Sequence, residues 1–231
     1  MALVFSRCGV LVGLIGLVFV NWVYAHGVAS GDASFIEQST HIEIGPWLYL
    51  GAKHMVTGYD HLLFLLGVVF LLYTTRDVLV YVTLFSLGHS VTLLVGVLGG
   101  IHANPYLIDA VIGLSVVYKS FDNLGGFERL VGWRPWPRLM VLGFGLCHGF
   151  GLATKIQALE VPAEGLAGKL ILFNLGVELG QLFALSWILL LVLLWRRSAR
   201  FVAQSVIVNT VLMMLGFLLA GYQMLGYLKG V

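Results

Sequence analysis

The chain has 231 residues, of which 59% are apolar and only 10% are charged, and its mean hydropathy is +0.96. A soluble domain carries about 25% charged residues, so this composition excludes the soluble globular class and predicts a membrane protein. The net charge of +2 is too small for a nucleic-acid-binding protein, and two cysteines exclude a disulfide framework.

The first 25 residues are organised like an export signal. Arg7 provides a short basic region, an apolar run follows, and Val23 and Ala25 fit the small-residue pattern that precedes a cleavage site. The apolar run is shorter than the about 20 residues that span a bilayer, which favours a cleaved signal peptide over an uncleaved anchor helix. We therefore predict a signal peptide at 1–25 and a short exported polar segment at 26–46.

Six apolar segments follow, and each is near or above the length that spans a membrane. Their connections are short, so we predict one domain, residues 47–231, in an all-α fold. This fold is a polytopic membrane helix bundle of about six transmembrane helices. The segments cover residues 47–73, 78–98, 105–121, 138–157, 169–195 and 205–228.

The loop arginines predict the orientation of the bundle. If the N-terminus is exported, all of them fall in connections on the inner side, as the positive-inside rule requires. The mature N-terminus is then outside. These arginines are Arg76, Arg129, Arg134, Arg138, Arg196, Arg197 and Arg200.

Ionisable side chains lie near mid-depth in four of the segments. One charged side chain at the centre of a spanning helix costs on the order of 2.5–3.5 kcal/mol, so several in one small protein are expected to meet. Because four segments carry metal-ligand residue types at a similar level, we predict one buried metal site. Its candidate ligands are His54, Asp60, His61, His89, His148 and Glu178.

Neutral polar residues accompany the candidate ligands and are expected to orient them. Ser86 and Ser90 flank His89. Asn174 and Gln181 share one predicted helix face with Glu178.

The spacing of His54 and His61 leaves two alternatives. These residues would lie about 10 Å apart on a straight helix, because each residue adds about 1.5 Å. Either Gly58 breaks the helix and lets both bind one ion, or they mark two separate stations along a path.

The ligand types narrow the ion. Imidazoles with one or two carboxylates suit divalent nickel, zinc, copper or iron, whereas magnesium and calcium prefer oxygen ligands alone. Each polar residue taken singly has a structural alternative, a hydrogen bond between helices. A weak internal repeat, F-x-L-x-H, occurs at Phe85–His89 and Phe144–His148 and hints at related halves around one site.

The motif His54-Met-Val-Thr-Gly-Tyr-Asp60-His61 resembles the H-x5-D-H signature of the HupE/UreJ family of hydrogenase and urease accessory membrane proteins. Blocks around His89, His148 and Glu178 are similar to those of its second branch, and the likeness covers nearly the whole chain from Gly51. The resemblance implies a bacterial inner-membrane protein with a signal peptide and about six spans. It also implies functional roles for the three residues of the first motif.

The resemblance further implies metal transport, because members of the better-known branch are regarded as nickel permeases that supply nickel enzymes. That branch has a second motif, F-H-G-x-[AV]-H-G-x-E. Here Phe144 stands at its first histidine and Gly151 at its glutamate, which places nickel specificity in doubt.

These observations together predict a membrane permease for a divalent transition metal, with nickel first and zinc or copper as the other candidates. The expected partners are the ion, the bilayer, and a membrane complex or metallochaperone, with no nucleic acid. Two alternatives stay open. One is a zinc-dependent intramembrane hydrolase, and the other is an accessory subunit that binds metal without transporting it.

Overall fold

The computed structural model describes residues 30–38, 41–159 and 161–230, and all regular structure in these ranges is helical, which confirms the all-α prediction. The predicted signal peptide lies outside the described residues, as does the beginning of the exported segment. A single π-helical turn, Phe127–Val131, precedes α6. The α-helices of the described residues are α1 (Ser30–Gln38), α2 (Ile44–Thr57), α3 (Tyr59–Val69), α4 (Thr75–Leu98), α5 (Pro105–Asn123), α6 (Pro137–Gln157), α7 (Leu166–Arg196) and α8 (Phe201–Lys229).

The number of uninterrupted spans differs from the prediction of six. In the described part of the chain, four helices are long and apolar enough to cross a membrane: α4, α6, α7 and α8. The first predicted span is instead divided at Gly58 into α2 and α3, of 14 and 11 residues. Its halves are too short to span singly, since a spanning helix needs about 20 residues.

The third predicted span, α5, has 19 residues but is not among these four, and it carries three charged residues. These are Asp109, Lys119 and Asp122, and all three side chains are buried inside the bundle. Asp122 accepts hydrogen bonds from Lys119 Nζ at 2.7 Å and from Arg134 Nε at 2.6 Å. The hydrogen bond to Asp122 raises the pKa of the Arg134 guanidinium, which lies in the loop before α6. Buried charges in α5 are therefore paired rather than exposed to lipid.

Polar caps set where two helices begin. Thr74 Oγ1 accepts a hydrogen bond from Asp77 N at 3.1 Å and so caps α4. Asn104 Oδ1 accepts from Tyr106 N at 3.0 Å, and Pro105 occupies the first turn of α5. Both arrangements satisfy backbone N–H groups that have no partner within the helix.

The long helices pack as three close pairs, α4 with α6, α5 with α8, and α2 with α7. A glycine lies at the contact in each pair: Gly149 faces the His89 carbonyl, and Gly51 faces the Phe173 carbonyl. In the third pair, Gly216 faces the backbone of Gly113. A β-carbon at any of these positions would collide with the partner helix. Such small-residue contacts hold helices together where lipid supplies no hydrophobic force between them.

The short helix α3 lies among the three pairs and contacts α2, α4, α5, α7 and α8. Its His61 and Phe64 side chains are buried. Arg196 of α7 binds the C-terminal end of α3, because its Nη2 donates to Val69 O at 3.0 Å and its Nη1 donates to Leu72 O at 2.7 Å. We call this the arginine end of the bundle, since the loop arginines lie here. Helix α3 is thereby fixed at its base.

Candidate metal centre

Four histidine side chains meet where α2, α3, α4 and α6 converge. The ring of His61 is central, and its centroid lies 5.2 Å from that of His54, 5.7 Å from that of His89 and 5.0 Å from that of His148. His54, His61 and His89 each offer a nitrogen, and these atoms lie within 4.8 Å of one another. We call these four residues the histidine cluster.

Gly58 explains how His54 and His61 come into contact. It adopts an extended conformation with φ −73° and ψ 97°, which ends α2 and allows α3 to begin in a new direction. A β-carbon on Gly58 would lie 2.9 Å from His61 Nδ1 and 3.2 Å from Asp60 Oδ1, so a larger residue would crowd the site. Of the two alternatives from the sequence, the structure shows the broken helix and a single cluster.

Hydrogen bonds fix the orientation of two of the imidazoles. Asp60 Oδ1 lies 2.9 Å from His61 Nδ1, and the Phe144 carbonyl lies 2.7 Å from His148 Nδ1. A carbonyl oxygen only accepts, so His148 Nδ1 carries the proton, and the Asp60 carboxylate selects the same tautomer in His61. Each Nε2 therefore keeps its lone pair. This carboxylate–histidine or carbonyl–histidine arrangement is the usual support of metal-ligating imidazoles.

Five other imidazole nitrogens of the cluster are buried and have no hydrogen-bond partner among the described residues. His61 is 3% exposed, His89 is 1% exposed and His148 is 0% exposed. Leaving one such buried polar atom unsatisfied costs about 1–3 kcal/mol, so several in contact require a ligand that satisfies them together. A cation bound by the lone pairs would satisfy the four unprotonated nitrogens, and the one nitrogen of His89 that carries a proton would stay a donor. The atoms are His54 Nε2, His61 Nε2, His89 Nδ1, His89 Nε2 and His148 Nε2.

The size of the cluster suits one transition-metal ion after small side-chain adjustments. Zinc binds imidazole nitrogens at about 2.0–2.1 Å, which separates neighbouring nitrogens of a tetrahedron by about 3.4 Å. The nitrogens of His54, His61 and His89 lie within 4.8 Å of one another, so modest rotations of the side chains close the difference.

Three phenylalanines close the arginine side of the cluster, and we call them the phenylalanine floor. The Phe64 ring centroid lies 5.2 Å from that of Phe85 and 5.7 Å from that of Phe144. Phe85 and Phe64 also contact His148, with centroids 5.0 Å and 5.3 Å from its ring. The F-x-L-x-H repeat in the sequence has a structural explanation here. Its spacing puts Phe85 and Phe144 one helical turn from His89 and His148, on the side of the arginine end.

Glu178, which the sequence predicts as a ligand, lies on the exposed face of α7 and not among the buried residues around the histidine cluster. Successive residues of a helix are rotated by about 100°, which puts Glu178 about 40° beyond Asn174. Asn174 lies near one edge of the buried face of α7, and Val177 lies farther inside that face. The predicted shared face was therefore too wide, and only its other two members are buried.

The predicted supporting residues have different surroundings. Ser86 Oγ donates to Gln181 Oε1 at 3.0 Å, so these two join α4 to α7 rather than orient an imidazole. Ser90 is half-buried beside His89. Asn174 is 6% exposed, and neither of its amide atoms has a hydrogen-bond partner among the described residues, so of the four it best retains a role as an orienting group.

Sequence analysis did not place Lys155 and Asp109 at the site. Lys155 Nζ lies 3.2 Å from Asp109 Oδ1 and 3.1 Å from Asp109 Oδ2, on the side of the cluster opposite the phenylalanine floor. The signal was the spacing of seven residues between His148 and Lys155, which puts both on one face of α6.

The fold and the site define a class, that of membrane helix bundles with a buried histidine cluster. A family model described as HupE / UreJ protein matches residues 30–230, nearly the whole chain. The chain belongs to the HupE/UreJ family, which confirms the resemblance seen in its motifs. A metal-related role in the membrane fits this family of accessory and transport proteins. No curated protein and no solved structure matches the chain.

Proposed function

We propose that this protein is a permease that moves a divalent transition-metal ion across the bacterial inner membrane to supply metalloenzyme assembly. Nickel is the leading candidate for this ion. The observation that carries the proposal is the set of buried imidazole nitrogens that meet in the histidine cluster without hydrogen-bond partners among the described residues. Zinc and copper are the alternative cargoes, because neutral imidazoles bind all three ions.

The residues have distinct roles in this proposal. His54, the half-buried member of the cluster, receives the ion first, together with the partly exposed Asp60. His61, His89 and His148 hold it in the interior. Asp60 also accepts a hydrogen bond from His61 Nδ1 and so keeps the Nε2 lone pair directed at the ion.

We infer the orientation of the transport path from the loop charges. The positive-inside rule places the arginine end in the cytoplasm and the N-terminus outside. In this orientation an ion in the histidine cluster would have to pass the phenylalanine floor to reach the cytoplasm, and the floor would close the path on the inner side. Delivery to a membrane complex or metallochaperone would follow release at the arginine end.

The donor set favours transport over the alternative of zinc-dependent hydrolysis. Catalytic zinc keeps three protein ligands and one open position for water. His54, His61 and His89 would supply three ligands, and His148, whose ring centroid lies 5.0 Å from that of His61, would supply the fourth and fill a tetrahedral site. The apolar floor beneath the cluster also offers no polar group to a reacting substrate.

Flux measured in liposomes tests the proposal. The purified protein would be assayed for bound metal by mass spectrometry and then for nickel, zinc, cobalt and copper uptake. We expect saturable uptake of one ion, loss of uptake in His61→Ala, and normal uptake in the control His102→Ala, because His102 is an exposed loop residue bonded to the Gly100 carbonyl.

Two results would contradict the proposal. A stoichiometric zinc ion that is held without flux would favour the hydrolase. Metal binding without flux, in a protein that retains a stable partner on purification, would favour the accessory subunit.

A further inference from the structure

The ammonium group of Lys155 is directed toward the histidine cluster rather than away from it. Lys155 follows His148 by seven residues on the same face of α6, so its Cα is about 10 Å farther from the arginine end. Side chains of a helix lean toward its N-terminus, which for Lys155 is the direction of His148. A lysine near the end of a spanning helix would otherwise extend toward water.

The contact with Asp109 of α5 locates the Lys155 ammonium relative to the histidine cluster. Its Oδ1 would lie 3.3 Å from a β-carbon on Gly151, and Gly151 is one helical turn from His148. Lys155 Nζ contacts both oxygens of this carboxylate, at 3.2 Å and 3.1 Å. Gln223 Nε2 donates to Oδ2 at 3.4 Å and so completes a buried polar group from three helices. The ammonium is therefore held about one turn from the cluster.

The charge of Lys155 acts on the cluster itself. Lys155 is among the charges that act on His54, Asp60 and His148, after the nearer groups of His61 and Asp60. Its side chain is only 23% exposed, so water screens this interaction less than it would at the surface. A divalent cation that enters the cluster meets a fixed positive charge nearby.

A positive charge near the histidine cluster would help a transported ion to leave the site. A permeation site must bind its ion well enough to replace water but weakly enough to release it. Four imidazoles supported by Asp60 would hold a transition-metal ion tightly. We propose that Lys155 lowers the metal affinity of the histidine cluster so that the ion can leave, and that Asp109 holds the ammonium at the distance that sets this affinity.

The inference rests on the proposed function and predicts opposite effects of two substitutions. Lys155→Met removes the repulsion, so the Kd for nickel(II) or zinc(II) falls by about tenfold or more, and saturated flux slows. An unpaired ammonium would change the Kd for the metal ion by more, but the Asp109 carboxylate offsets part of the electrostatic field of Lys155. Asp109→Asn frees the ammonium to approach Asp60, so the Kd rises. The double variant has neither charge, so its Kd lies between those of Lys155→Met, which leaves the Asp109 carboxylate unpaired, and Asp109→Asn.

The experiment is a competition titration of the full chain in detergent with nickel(II) and zinc(II) against a chromophoric chelator, followed by flux in liposomes. Lys155→Arg keeps the charge and should stay close to the wild-type Kd. Lys229→Met, at the exposed end of α8, is the matched control. If Lys155→Met does not fold, Lys155→Gln makes the same test with a polar side chain.

The outcomes separate this inference from the proposed function. If the wild type binds metal but the Kd of Lys155→Met and Lys155→Gln stays within twofold, or rises, the inference is overturned and the proposed function stands. If the wild type binds no metal, the proposed function fails and the inference fails with it. Tighter binding with slower saturated flux in the lysine variants supports both.

Discussion

Replacement of Asp60 tests how the cluster is organised. Asp60 Oδ1 lies 2.9 Å from His61 Nδ1 and also accepts a hydrogen bond from His61 N at 2.9 Å. Asp60→Ala removes both contacts, so the His61 ring loses its fixed tautomer and its orientation. Asp60→Asn keeps an acceptor oxygen of similar position but removes the charge.

The magnitude follows from the kind of contact. A hydrogen bond to a charged group contributes about 1.5–3 kcal/mol, and loss of a group that orients a metal ligand weakens metal binding by about 10–100-fold. The second figure corresponds to about 1.4–2.7 kcal/mol, so the two agree. The Asp60 side chain is only 17% exposed, so little of this is lost to screening. We expect a 10–100-fold higher Kd in Asp60→Ala and a smaller increase in Asp60→Asn.

The assay is the same chelator competition in detergent, with circular dichroism to establish that each variant is folded. Asp77→Asn, a surface position at the arginine end, is the matched control and should bind like the wild type. The reasoning is refuted if Asp60→Ala folds and keeps the wild-type Kd while His61→Ala loses binding, because Asp60 would then orient nothing.

Three further predictions concern the floor, the helix contact and the rejected ligand. Phe144→Ala opens the phenylalanine floor and should raise liposome flux severalfold with little change in Kd, whereas the lipid-facing Phe183→Ala should change neither. Gly149→Ala forces α4 away from α6 and should lower the free energy of unfolding by about 1–3 kcal/mol, measured by denaturant titration. Gly143→Ala, with open space around it, should leave the free energy of unfolding unchanged or raise it by up to about 1 kcal/mol, because alanine favours the helix over glycine. Glu178→Gln should leave the Kd within twofold by the same competition assay, and a tenfold loss would return this residue to the site.

The sequence predicted the members of the cluster better than their surroundings. His54, His61, His89 and His148 could be found because imidazoles are rare at mid-depth in apolar segments and the helices had to bring them together. The sequence could not show whether Glu178 faces the cluster. Glu178 lies about 40° past Asn174 around the helix, so its position depends on how α7 is rotated against its neighbours. That rotation is set by contacts such as Gly51 with Phe173, which no single-segment pattern contains.

The break in the first span could not be predicted from the sequence either. Gly58 between His54 and His61 allowed a break or a continuous helix, and composition alone could not decide between them. The break is stabilised by tertiary contacts, since Arg196 binds the carbonyls of Val69 and Leu72 and fixes the short α3 from the far end of α7. Such a bond joins residues more than 120 positions apart and leaves no local signal.

X-ray absorption spectroscopy of the zinc-loaded protein tests the central claim, that one ion binds in the histidine cluster, most directly. The account predicts a first coordination sphere of four imidazole nitrogens at about 2.0–2.1 Å, with the multiple scattering of histidine rings. This signal should lose one imidazole or disappear in His148→Ala and stay unchanged in His102→Ala. A sphere dominated by oxygen ligands, or a spectrum that is identical in wild type and His148→Ala, would contradict it.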